Sequence, residues 1–182
     1  MIWLILGVAL WSGSHLWKRL APASRARAGD PGRGIVALGS ALGIVLMVLG
    51  YGWAEGPVWS GRTPALTGIN NLLVLVAFYL AAASGMMTRA MRWLRHPLLF
   101  AVILWAVAHL LVNGDLKSII LFGGLLVWAA LEIVLINRAA PHWAKPAPAP
   151  IGKEVGAVVG GVVVYLAAGY IHSLVGPWPF GG

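Results

Sequence analysis

Apolar residues fall in six long blocks, near 2–17, 34–54, 66–88, 97–114, 116–136 and 155–175, with the polar residues gathered between them. Each block is long enough, or nearly so, to cross a hydrocarbon layer about 30 Å thick as a helix. Backbone polar groups in lipid must be satisfied within their own segment, so helices are the form expected of such blocks. The pattern predicts an all-α integral membrane bundle of six transmembrane helices, a single membrane domain over residues 1–182. In the first block Lys18 and Arg19 follow the apolar run instead of preceding it. That charge order is the reverse of a cleaved signal, and predicts a retained helix. Only Asn113-Gly114-Asp115 separates the fourth and fifth blocks, which predicts a tight turn and an antiparallel helical hairpin.

The charged residues orient this bundle. Lys18, Arg19, Arg25, Arg27 and Arg33 follow the first block, Arg89, Arg92 and Arg95 the third, and Arg138, Lys145 and Lys153 lie between the fifth and the sixth. Eleven basic residues thus share one side, against Arg62 and Lys117 on the other. The positive-inside rule puts the basic loops in the cytoplasm and both termini outside. Residues 21–33 and 141–153 are rich in Pro, Ala and Gly, and are expected to be extended connectors. Trp3, Trp17, Trp59, Trp93, Trp143 and Trp178 fall near span ends, as interfacial anchors do. The glycines of "GSALG" (39–43) and "GAVVGG" (156–161) are suited to close helix packing.

Composition agrees. The chain is 60% hydrophobic and 10% charged, more apolar than a soluble domain of 182 residues can hide. Its net charge of +8 comes from clusters flanking apolar blocks, which points to the lipid bilayer as partner and not to nucleic acid. With no cysteine, disulfides, iron–sulfur clusters and covalent c-type haem are excluded, and histidine is the softest ligand left. No phosphate loop, HExxH or GxSxG motif is present.

Ionisable groups inside spans are costly and usually face the bundle interior. The candidates are His15, His96, His109, His172 and Glu132, with Asn70, Asn71 and Asn113 beside them. Helix rise sorts them into two layers: His109, His172 and the asparagines toward the outer side, and His15, His96 and Glu132 toward the inner. Trp105 and Asn113 lie four residues before and after His109 on one face, so Asn113 is placed to hold a ring nitrogen of His109. His96, just before Pro97, is expected to cap the start of its helix, and Glu132 to pair with a basic residue of the inner side. His142, in a Pro-rich loop, reads as solvated or interfacial.

The stretch "RHPLLFAVILWAVAHLLVNGDLKSIILFGG" (95–124) resembles the central signature of the NnrU family of integral membrane proteins. The likeness extends to "GSHLW" closing the first block, to Gly43, Gly50 and Tyr51 in the second, and to "IHSLVG" closing the sixth. The resemblance implies a multi-pass protein of the bacterial inner membrane associated with denitrification, around nitrite and nitric oxide metabolism. The plant ζ-carotene isomerase is similar to this family and holds haem b between two histidines, where a polyene is isomerised. Matched by motif, those ligands correspond here to His15 and His109. By helix rise, however, His15 and His109 differ by about 13 Å in depth and His109 and His172 by about 5 Å, which leaves both pairings open. The expected cofactor-binding set is therefore His109, His15, His172, Asn113 and Trp105, with His109 and His15 as iron ligands.

Two further readings compete. The "RHP" start of the fourth block resembles membrane methyltransferases of the isoprenylcysteine type, which would give Arg95, His96 and Glu132 to S-adenosylmethionine. A cofactor-free partner of denitrification reductases would instead use its histidines as links between helices.

Overall fold

The computed structural model describes residues 1–181. It is mostly helical, and its long helices coincide with the six apolar blocks. They are α1 (Ile2–Leu20), α3 (Pro31–Trp53), α4 (Pro64–Met86), α5 (Pro97–Val112), α6 (Leu116–Ala139) and α7 (Ile151–Val175), with a short α2 (Pro22–Arg27) after α1. Four of these, α3, α4, α6 and α7, are long and apolar enough to cross a membrane. The other two fall short for different reasons. α5 has 16 residues, about 24 Å of rise. α1 is long enough at 19 residues but ends in Ser, His, Lys and Arg positions that dilute its hydropathy.

Proline sets several starts, because its missing N–H is already an orphan in the first turn of a helix. It occupies that turn in α2, α3, α4 and α5. The Asn113-Gly114-Asp115 turn forms as expected, but with an addition. Gly114–Asp115 (β2) pairs antiparallel with Val58–Ser60 (β1) from the loop between α3 and α4. Residues 21–33 differ from the expected extended connector: α2 forms within them and α3 begins already at Pro31, because two Pro-led turns nucleate helix there. Residues 141–150 are irregular, as expected, but the last three residues of the expected 141–153 connector already form the first turn of α7.

The two ends of the bundle are chemically distinct. At one end, Arg19 meets Glu132, His96 meets Asn137, and Arg92 reaches the carbonyl of Pro146. At the other, Arg62 donates to the carbonyls of Trp178 and Pro179, and the β1–β2 ladder ties two loops together. The eleven basic residues of the three long connectors therefore gather at one end, and both termini lie toward the other.

Packing divides the helices into two groups joined by α6. α1 lies against α3, α4 lies against α5 and α7, and α6 touches both α1 and α5. The α1–α3 contact is backbone on backbone. Gly7 faces Gly43 and Met47, Gly43 faces the Trp11 amide, and Gly50 faces Leu4. Such contacts are the usual means of holding helices together where lipid supplies no hydrophobic drive. Large apolar side chains cover the outer faces of α3 and α7, among them Leu38, Val48, Val163 and Leu174, as lipid contact requires. Trp93 is 86% exposed at the basic end, and Trp59 and Trp178 are exposed at the other.

The glycine seam makes a direct prediction. A Cβ on Gly43 would sit 3.0 Å from the Trp11 amide nitrogen and 3.1 Å from the Gly7 carbonyl, both backbone and unable to swing away. Gly43→Leu should destabilise the protein by about 1–3 kcal/mol through overpacking, lowering the midpoint of thermal unfolding in detergent. Gly52→Leu, with nothing within 4 Å of its Cβ position, should not.

Candidate functional site

His15 and His109 occupy matching local environments on antiparallel helices. Each follows a tryptophan by four residues, Trp11-Ser-Gly-Ser-His15 on α1 and Trp105-Ala-Val-Ala-His109 on α5. The Nδ1 of His15 donates to the Trp11 carbonyl at 2.9 Å, and the Nδ1 of His109 to the Trp105 carbonyl at 2.8 Å. A helix carbonyl already accepts from the amide four residues on, and its second lone pair takes the imidazole proton. This bond assigns the proton to Nδ1 and leaves Nε2 as the acceptor in the neutral ring. Neither Nε2 has a hydrogen-bond partner among the described residues.

Aromatic rings hold the two imidazoles. Trp11 lies 4.2 Å from His15, and Trp105 lies 5.0 Å from His109, centroid to centroid. α6 supplies a second ring to each: Trp128 stands edge-on to His15 at 5.1 Å, and Phe122 stacks on His109 at 4.6 Å. Phe122 and Trp128 are six residues apart, about 9 Å along the helix. α6 therefore acts as a common wall with one histidine at each of two levels. Phe122 belongs to a π-helical segment, Ile119–Gly123, a local widening often found at functional sites.

Between these levels lies a cavity of about 340 Å³, lined by Trp11, Met47, Phe78, Val102, Trp105 and Trp128 among other apolar residues. It is within the range of ~300–1,000 Å³ usual for small-molecule sites. α3 and α4 both line the cavity and are not among the closely packed helix pairs. Trp11 and Trp105, which accept the imidazole protons through their carbonyls, thus also wall the cavity with their rings. The indole N–H groups of Trp11 and Trp128 are buried without a partner among the described residues, two free donors beside His15.

Other polar groups serve the frame. Asn113 differs from expectation: its Nδ2 donates to the backbone carbonyl of His109 at 2.9 Å and not to the ring, because it has become the last-turn cap of α5. With the Asn70 amide turned so that its nitrogen donates, it reaches the Ala108 carbonyl at 2.9 Å and ties α4 to α5 beside His109. Asp115 accepts from the amide and hydroxyl of Ser118, and Ser118 meets the Tyr51 hydroxyl at 2.8 Å. His172, on α7, donates from Nδ1 to the Pro177 carbonyl of the chain's own tail, and it stacks on no aromatic ring among the described residues.

At the basic end, Glu132 is 6% exposed and pairs with Arg19 at 3.3 Å. Arg19 is four residues beyond His15, and Glu132 four beyond Trp128, so the pair fastens α1 to α6 one turn from the His15 ring. His96 begins α5 as expected, but its side chain bonds Asn137 at 2.9 Å and not the helix's own amides. Arg95 donates to the Ala140 carbonyl. Arg95, His96 and Glu132 are thus each engaged with a neighbouring helix or loop.

The donor chemistry of the site fits a haem b. A porphyrin brings four of its own ligands and asks the protein for one or two, ordinarily imidazoles in a water-poor setting. Two imidazoles with fixed tautomers and free Nε2 atoms meet that need. No group of three or more His, Asp or Glu side chains suited to hold a bare ion lies together among the described residues. The sequence had singled out His15, His109 and Trp105. It passed over Trp11, Trp128 and Phe122, although the repeated W-x-x-x-H spacing pointed to the first of them.

The Arg19–Glu132 tie is testable. Glu132→Leu should cost about 2–4 kcal/mol of stability, toward the low side of what breaking a buried pair costs because Arg19 is partly exposed. Arg19→Leu combined with Glu132→Leu should recover most of the loss, as read from thermal unfolding in detergent.

The family model described as NnrU protein matches residues 3–179, almost the whole chain. No match to a curated protein or to a solved structure was found. The chain belongs to the NnrU family.

Proposed function

We propose that this protein binds haem b within the membrane through His15 and His109, and that both termini lie outside with the basic loops in the cytoplasm. One observation supports the haem reading: each histidine is held by an i−4 tryptophan carbonyl through Nδ1 and leaves Nε2 free among the described residues, and the two tryptophans that hold them line the same apolar cavity. When bound, haem b would supply a one-electron redox centre. The chain's own residues do the rest. The Trp11 and Trp105 carbonyls fix the tautomers and hold the ring planes, as partners of ligating histidines generally do. Trp128 and Phe122 press on the rings from α6 and keep water away. Asn70 and Asn113 steady the His109 end of α5.

All six long helices span the bilayer in this reading, α5 being shielded by α4 and α6 where it is short. Eleven basic residues at one end and two at the other support the orientation. The place of the protein in nitrite and nitric oxide metabolism, in the bacterial inner membrane, is inferred from family membership. A second reading has its own observation. The cavity is lined by apolar residues of α3 and α4, which are not closely packed on each other, and entry of an apolar polyene from the bilayer between them would favour a haem-dependent cis–trans isomerase.

The test is an absorption spectrum of detergent-purified protein from cells given a haem precursor. The reading expects a Soret band with sharp α and β bands after dithionite. His109→Ala and His15→Ala should each abolish or displace that band, and His172→Ala should leave it in place. A colourless, folded wild-type protein would overturn the haem assignment, and a His15→Ala spectrum identical to wild type would remove His15 from it.

A further inference from the structure

A cationic strip at the basic end has no role in the site described above. Arg89, Arg92 and Arg95 lie on and just after the short 3-10 turn Arg89–Arg92 that joins α4 to α5. Each is fastened by a single hydrogen bond to the irregular segment 140–150: Arg89 Nε to the Ala149 carbonyl at 3.3 Å, Arg92 Nη1 to Pro146 at 2.6 Å, and Arg95 Nη2 to Ala140 at 2.6 Å. A guanidinium carries five N–H donors in a planar fork, so each keeps most of its donors after making one such bond. Backbone carbonyls immobilise these groups without neutralising them. No carboxylate lies within ion-pair distance of the three among the described residues. The nearest acidic group, Glu154, accepts from the backbone amide of Arg89 and makes no ion pair with its side chain.

Three further observations place the strip. Trp93, between Arg92 and Arg95, is 86% exposed, as an indole anchored among lipid head groups is. The N-termini of α5 at Pro97 and of α7 at Ile151 lie beside it and add positive potential. Lys145 and Lys153, in or next to the segment that the arginines hold, add two more unpaired cations among the described residues.

We propose that Arg89, Arg92 and Arg95 form a binding strip for the phosphodiester head groups of anionic phospholipids. Fixed, un-neutralised guanidinium forks match phosphate oxygens in geometry as well as charge. Basic pockets between helices at this level of a membrane are recognised sites for such head groups. Bound lipid would hold the 140–150 segment against the start of α5, since the same three residues contact both.

The test uses the full-length protein in a neutral detergent. Thermal unfolding is followed while phosphatidylglycerol, phosphatidylcholine or inorganic phosphate is added, and retained lipid is counted by native mass spectrometry. The expected result is stabilisation by phosphatidylglycerol only, shrinking as salt rises. Arg89→Gln/Arg92→Gln/Arg95→Gln should weaken that response roughly tenfold or more. Lys18→Gln/Arg27→Gln/Arg138→Gln, which removes equal charge elsewhere at the same end, should keep it. An equal response to phosphatidylcholine in the wild type would overturn the proposal whether or not the variants fold. So would an equal loss in the control triple, which would mean diffuse attraction, or full stabilisation by inorganic phosphate.

Discussion

A histidine packed among the apolar side chains of a helical bundle has to satisfy a ring N–H, and here its own helix does so. The carbonyl four residues back takes the Nδ1 proton of His15 and of His109 at just under 3 Å. That single bond decides the tautomer, orients the ring and frees Nε2. Everything else proposed for the site depends on it, since a ring whose Nε2 carried the proton would present a donor to a metal instead of a lone pair. The same geometry sets a tryptophan ring beside each imidazole, because residues four apart share a helix face.

α6 turns two separate local arrangements into one site. It is the helix that touches both the α1–α3 pair and the α4–α5–α7 group, and it places Trp128 at His15 and Phe122 at His109. Glycines bring α1 and α3 to backbone contact, the Arg19–Glu132 pair fastens α1 to α6, and Asn70 fastens α4 to α5. Each tie uses a different interaction, and each is near one of the two histidines. Among the described residues no such tie joins α3 to α4, and the two are not closely packed.

Much of this frame was legible in the chain. Six apolar blocks mark the six long helices, because an 18-to-25-residue apolar run has few other ways to satisfy its backbone. Pro97 and the Asn113-Gly114-Asp115 turn mark the ends of α5 closely, since both constrain the backbone locally. The α2 helix was missed, because its six residues carry no apolar periodicity and form through a proline-led first turn. The partnership of Arg19 with Glu132 was legible only as a type of contact: burial demands a partner, but 113 residues of separation hide which one. Asn113 illustrates the same limit. Its spacing from His109 allows a bond to the ring or to the backbone, and the His109 carbonyl, which already accepts from the Asn113 amide, takes its side chain as well. The contributions of Phe122 and Trp128 were not legible, since helix order around α6 is a property of the packed bundle.

Whether His15 and His109 hold one haem is tested by pulsed electron paramagnetic resonance of the oxidised protein labelled with ¹⁵N-histidine. The expected result is a low-spin ferric signal coupled to two equivalent imidazole nitrogens, with one coupling lost in His15→Ala and the other in His109→Ala. A low-spin signal whose two histidine couplings both survive His15→Ala, or coupling to a single histidine, would contradict it.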